Sequence, residues 1–151
     1  MPKPIIYTDK GTGSIVVLLH GFCESKDIWI SFSEQLATSH RVICIDLPGF
    51  GESILDRDDI SMEWFAEQIH LLLVQLEVHA FTLIGHSLGG YVGLAYAERY
   101  MQNLTGLCLF HSTAYADSEE RKENRNKTIA FIEKYGADMF TQSFIEPLFL
   151  L

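Results

Sequence analysis

Short β-branched runs alternate with longer segments of helical period along most of this sequence, and that alternation constrains the fold more than any other feature. Strands separated by helical segments return by crossover and pair in parallel, giving a sheet with helices packed on it. Ile5 to Thr8 reads as a short strand, ended by the turn residues Asp9-Lys10-Gly11-Thr12-Gly13. Ser14 to Leu19 is continuously apolar after its serine, as a strand covered on both faces is. Arg41 to Asp46, Ala80 to Ile84 and Leu104 to Phe110 are the further strands. Between them, Ser25 to Ser39 reads as a helix with Ile28, Phe32 and Leu36 recurring on one face. Ser61 stands as the cap of a helix through Leu76, with Trp64, Phe65, Ile69, Leu72, Leu73 and Leu76 as its buried stripe. Ser87 opens a third helix, to about Met101. The expectation is an α/β fold, a mainly parallel sheet with helices on both faces.

From Asp117 the pattern changes. Residues up to Tyr135 are highly charged except for Thr128, Ile129, Ile132 and Tyr135, and Ala137 to Phe149 is apolar without strand alternation. Two helices are expected there, which divides the chain into 1–116 and 117–151. A length of 151 residues with 48% apolar side chains suffices for one sizeable core. The net charge of −9, with no cluster of Lys and Arg, argues against nucleic acid and against an anionic membrane surface. No run approaches the roughly 18 apolar residues that a bilayer-spanning helix needs, so no membrane partner is expected. Cys23, Cys44 and Cys108 fall in no metal-binding spacing, and Cys44 and Cys108 lie in apolar runs as small buried hydrophobes do. An odd cysteine count, with no apolar signal segment near Met1, points to a reducing, cytoplasmic setting. No metal and no cofactor is expected.

One motif carries chemistry. Gly85-His86-Ser87-Leu88-Gly89 is a G-x-S-x-G run placed directly after an expected strand and at the start of an expected helix. Such a run arises by chance in roughly one chain of this length in twenty, so the strand–turn–helix context decides its weight. The glycines let strand and helix approach where a Cβ would clash. The serine is then forced into a strained backbone conformation, with its hydroxyl presented at the carboxyl edge of the sheet. The Leu88 N–H, at the helix N-terminus, can meet a developing oxyanion. His20-Gly21-Phe22 follows the strand Ser14–Leu19. Gly21 lets that loop bend toward the serine, Phe22 N–H is a second oxyanion donor, and His20 is expected to shape the loop without acting as the base. Asp46-Leu47-Pro48-Gly49-Phe50-Gly51-Glu52-Ser53 forms a compact turn, in which Asp46 is expected to bind loop N–H groups.

These three motifs, in this order and on these elements, resemble the α/β-hydrolase superfamily over about Ile5 to Phe110. The likeness is to its small soluble members: carboxylesterases, proline iminopeptidase-like enzymes, C–C bond hydrolases and haloperoxidase-like esterases. The resemblance implies Ser87 as catalytic nucleophile, Phe22 and Leu88 as the oxyanion hole, and His20, Gly21, Asp46, Gly85, His86 and Gly89 as motif support. It also implies that residues 117–151 begin a helical cap, and that the core stops after the sixth family strand. Family order places the acid and then the histidine after the serine. Of the residues here, His111 is not at a base position, and Asp117 and Glu119 match only the few relatives with an early acid. His40, His70 and His79 fall on helix ends or connections and read as exposed or incidental.

The expected function is hydrolysis of an ester-like small-molecule substrate through an acyl-enzyme on Ser87, with acid and histidine supplied beyond residue 151. Phe22, Cys23, Phe140 and Phe144 are expected as pocket walls. The 151-residue chain by itself is then expected to turn over little. A serine at Ser87 argues against haloalkane dehalogenases, which carry Asp there, whereas perhydrolysis uses the same triad. Two alternatives come from other classes: a receptor that binds a small signalling molecule in the same pocket, and an inactive fragment that oligomerises through an exposed edge strand at 104–110.

Overall fold

The computed structural model describes residues 3–148, with side chains as far as Ser143. Two compact units divide between Ala114 and Tyr115. In the first, β1 (Tyr7–Lys10), β2 (Ser14–Leu19), β3 (His40–Ile45), β4 (Phe81–His86) and β5 (Leu104–Phe110) form one sheet in the order β1-β3-β2-β4-β5. β1 runs antiparallel to β3, and the remaining neighbours are parallel. The crossovers are a 3-10 turn (Lys26–Trp29) with α1 (Ile30–Leu36), then α2 (Met62–Gln75), then α3 (Leu88–Tyr100).

That order places a switch point in the sheet. From β2 the chain moves outward to β3, then returns past β2 to build β4 and β5 on the other side. Helices made before and after such a reversal fall on opposite faces, because parallel crossovers share one hand. Side-chain alternation along the strands records both faces. Val17, Leu19, Ile43 and Ile45 pack with Phe65, Ile69 and Leu73 of α2 and with Val92 and Tyr96 of α3. Val16, Leu18, Val42 and Cys44 pack with Trp29, and Leu36 of α1 lies against them. Each such leucine or isoleucine contributes about 1.5–3 kcal/mol of burial before conformational entropy is counted. The carboxyl ends of β2 and β4, adjacent across the switch point, are where an open α/β sheet leaves a crevice.

Three local expectations differ from what is observed. β1 begins at Tyr7 and includes Asp9 and Lys10. Its ladder to β3 brings Asp9 beside Arg41, with Arg41 Nη2 2.7 Å from the carboxylate, so this edge strand tolerates charged residues facing outward. In the first crossover, Ile28 and Phe32 are 44% and 46% exposed, while Lys26, Trp29 and Ser33 are buried. The 3-10 turn advances three residues per turn, which shifts the helical phase, and Lys26 turns inward to pair with Asp46. Cys108 is exposed, unlike buried Cys44, because β5 is the last strand of the sheet among the described residues.

The second unit contains α4 (Glu119–Tyr135) and α5 (Ala137–Leu148). Ser118 caps α4 by accepting from Arg121 N–H, and Gly136 at φ 85° ends it. Thr128, Phe131 and Ile132 are its least exposed side chains, whereas Ile129 and Tyr135 of the expected stripe are half exposed.

Candidate active site

Ser87 is the entire turn between β4 and α3. Its φ of 49° and ψ of −110° lie where a residue with a Cβ rests only if its surroundings over-determine it, at a cost of about 1–3 kcal/mol. Backbone hydrogen bonds supply that constraint. Ser87 N–H donates to the Phe110 carbonyl at 3.0 Å, and the Ser87 carbonyl accepts from Gly90 N–H at 3.0 Å. The same carbonyl accepts from the Ser112 hydroxyl at 2.8 Å. The sequence carries no signal for Ser112, because a serine just beyond a strand gives no sign of what it will meet.

The flanking glycines are dictated by contact. A Cβ on Gly85 would overlap the Gly89 carbonyl, and one on Gly89 would lie 2.6 Å from the Leu19 oxygen and 2.7 Å from that of His20. Strand β4, helix α3 and the end of β2 therefore close on one another only because both positions lack side chains. Leu88 opens α3, so its N–H belongs to the first turn, where no intrahelical acceptor exists and the helix dipole is positive.

The loop after β2 closes on Ser87 from across the switch point. A Cβ on Gly21 would stand 3.2 Å from the Ser87 Cβ and 3.0 Å from His86 Nδ1. His20 is fully buried; its Nδ1 donates to the Gly21 carbonyl at 2.7 Å, and its Nε2 accepts from Leu47 N–H at 3.0 Å. These partners assign a neutral Nδ1–H imidazole. Burial is the largest influence on that ring and holds its pKa below the usual histidine value, outweighing the Gly21 carbonyl and the nearby carboxylates. The C=O and N–H of one trans peptide point in opposite directions. Tying the Gly21 carbonyl to His20 therefore aims the Phe22 N–H the other way. The Phe22 ring meets Phe50 edge-on, with centroids 5.9 Å apart, and Phe50 meets His20 at 5.5 Å.

Asp46, at the end of β3, is fully buried beneath this loop. It accepts from Lys26 N–H at 2.7 Å, Glu52 N–H at 3.0 Å and Lys26 Nζ at 2.9 Å. Burial pushes its carboxyl up, and these donors together more than offset that, leaving it below the usual carboxylate range. Lys26 also reaches Glu52 at 2.6 Å. Glu52 and Asp46 hold its ammonium well above the ordinary lysine pKa. Asp46 thus joins two loops and is positioned as a brace.

Other candidates are placed elsewhere. His86 bonds Glu24, with Nδ1 2.8 Å from the carboxylate, and its ring lies 6.2 Å from that of His111. His111 is exposed at φ 45°. His70, expected to be incidental, stacks on Tyr100 at 3.8 Å and bonds the Tyr96 hydroxyl at 3.1 Å, within the α2–α3 interface. Among the described residues no histidine hydrogen-bonds the Ser87 hydroxyl. Cys23 has φ 60°, and partial burial followed by the Glu24 carboxylate pushes its thiol up, which disfavours a thiolate. In the second unit, Asp117 pairs with Arg125 and Glu119 with Lys122. Phe140 lines a cavity of about 260 Å³ with Lys127, Thr128, Phe131 and Ser143, and the Phe144 side chain lies outside the described residues. A cavity of about 240 Å³ beside Lys3, Ile5, Arg57 and Trp64 shares no lining residue with the Ser87 cluster.

Comparison with known proteins identifies the family. A family model described as "alpha/beta hydrolase fold" matches residues 14–135. Human monoacylglycerol lipase ABHD6 is 34% identical over 97 residues, covering 62% of this chain and 29% of that protein. A pimeloyl-[acyl-carrier protein] methyl ester esterase from Aeromonas salmonicida is 41% identical over 98 residues, covering 64% and 37%. A thermophilic esterase from Thermogutta terrifontis superposes with TM-score 0.86 at 36% identity, over 94% of this chain and 53% of that one. The chain therefore spans about a third of these curated relatives and about half of the solved esterase. Among the described residues no helix is long and apolar enough to cross a membrane, and no cluster of three or more His, Cys, Asp or Glu could hold a metal ion.

Proposed function

Since this chain belongs to the alpha/beta hydrolase family, we propose that it carries the nucleophile, Ser87, of an enzyme that hydrolyses carboxylic esters of small molecules through an acyl-enzyme. The observation that carries this reading is the conformation of Ser87. A strained serine, locked by neighbouring backbone and set at a helix N-terminus with a second loop against it, is an arrangement that a merely structural turn has no reason to maintain.

The Ser87 oxygen attacks the ester carbonyl carbon while a histidine accepts the hydroxyl proton. The carbonyl oxygen gains the negative charge, held by the N–H groups of Phe22 and Leu88. Collapse breaks the bond to the alcohol, which leaves with the proton from the histidine. Water then attacks the acyl-serine, releasing the carboxylic acid and restoring the Ser87 hydroxyl. Each N–H donor is worth about 10²–10³ in rate in such sites. A serine at its ordinary pKa needs an adjacent base, and that histidine and its acid come from sequence beyond residue 151. The relatives support ester chemistry: their names specify a lipase acting on monoacylglycerol, a methyl ester esterase and an esterase. No cofactor takes part, and three free cysteines fit a reducing, cytoplasmic setting.

Treating the full-length gene product with a fluorophosphonate probe and with p-nitrophenyl esters tests the proposal. Labelling and turnover are expected, and Ser87→Ala abolishes both. Wild-type protein that neither labels nor cleaves any ester sinks the enzyme reading and favours a small-molecule receptor.

A further inference from the structure

We propose that Glu24 is a positioning residue whose carboxylate clamps the loop after β2 to the turn that carries Ser87, holding the Phe22 N–H toward the serine. This rests on the acyl-enzyme reading above and adds to it a residue outside the three sequence motifs.

The geometry is specific. One oxygen of Glu24, Oε2, accepts from Gly21 N–H at 2.6 Å and bonds His86 Nδ1 at 2.8 Å. Gly21 stands one residue before Phe22, and His86 one residue before Ser87. A single carboxylate oxygen therefore bridges the backbone segments that present the two reacting parts of the site. The clamp occupies the gap that a side chain at Gly21 would fill, since a Cβ there would lie 2.7 Å from Glu24 Oε2 and 3.0 Å from His86 Nδ1.

Peptide planarity turns this contact into aim. Gly21 N–H fixed on Glu24 sends the carbonyl of the same peptide, that of His20, in the opposite direction, toward Gly89. Gly21 C=O fixed on His20 Nδ1 sends the Phe22 N–H away from His20. Two successive peptides are thus oriented by one bond each. Glu24 supplies the first and buried His20 the second. Oxyanion stabilisation depends on donors already aimed when charge develops, so loosening the first peptide weakens the transition state without weakening substrate binding.

Charge and position can be separated. In Glu24→Gln the amide oxygen, placed where Oε2 stands, can still accept from both Gly21 N–H and His86 Nδ1–H, so the clamp survives without charge. Glu24→Ala removes it. In the full-length protein, Glu24→Ala is expected to lower kcat and the fluorophosphonate labelling rate of Ser87 by about ten-fold or more, with KM within about two-fold. Glu24→Gln restores most of that loss. In NMR spectra of the 151-residue chain, the Gly21 amide proton moves upfield in Glu24→Ala and returns toward its wild-type position in Glu24→Gln. Unchanged kcat in a folded Glu24→Ala protein overturns the proposal, as does a Glu24→Gln loss equal to that of Ala. Wild-type protein that does not label sinks the acyl-enzyme reading instead, and the Gly21 resonance then still reports whether the clamp exists.

Discussion

His20 and Asp46 are both ionisable and both fully buried, and their burial ties the integrity of the loops around Ser87 to pH. His20 has a folded-state pKa below its unfolded value, so protons favour the unfolded chain. The stability it contributes is complete above about pH 6.5 and is lost as pH falls through that value toward its folded pKa. Asp46 is also depressed, so its contribution is present above about pH 4 and is lost as pH falls further. Urea unfolding midpoints are therefore expected to hold steady down to about pH 6.5, decline gently below it, and decline steeply below about pH 4. His20→Gln should remove the first decline and leave the second. A wild-type midpoint that stays flat between about pH 6.5 and pH 5 would mean that His20 is not held neutral in the fold. The motifs around these residues were readable because glycine and serine spacing reports backbone constraint directly. Glu24, Lys26 and Ser112 were not, since a polar residue in a loop gives no sign of its partner until distant segments meet.

At the scale of elements, legibility followed how much of each element's energy is local. α2 begins where Ser61 predicts, with the Ser61 hydroxyl accepting from Trp64 N–H at 3.2 Å, and it buries Phe65, Ile69, Leu72 and Leu73 as its period requires. Ser61→Ala is expected to cost about 1 kcal/mol in chemical denaturation, and Phe65→Ala about 3–5 kcal/mol. Equal costs would mean that α2 is not held chiefly by its packed face. α1 departs from the face its sequence period predicts because its phase is set outside the helix, by the 3-10 turn and by Lys26 reaching Asp46. The turn into α3 lies between these cases. The glycines were visible, but the reason for Gly89 is a carbonyl on β2, some seventy residues earlier in the chain. Gly89→Ala should destabilise the fold by about 1–3 kcal/mol, because the obstructing atoms are backbone and cannot rotate away. Thermal or urea unfolding of that variant measures it.

For the whole molecule, the strand order brings the ends of β2 and β4 together, and β5 ends the described sheet with Leu107 at 36% and Phe110 at 46% exposure. An apolar edge of this kind is a template for pairing with another strand. The 151-residue chain is expected to self-associate in light scattering at micromolar concentration, and Leu107→Lys should shift it toward monomer. A wild-type chain that stays monomeric would count against pairing through 104–110. The α/β class, the strand–turn–helix context of Ser87 and the glycines that allow it are legible along the chain, because periodicity and glycine placement are written in neighbouring residues. That Gly21 reaches Ser87, that Glu24 bridges Gly21 to His86, and that Lys26 turns inward becomes visible only in the folded chain. Those contacts join segments tens of residues apart, and their geometry exists only once the switch point in the sheet has set those segments side by side.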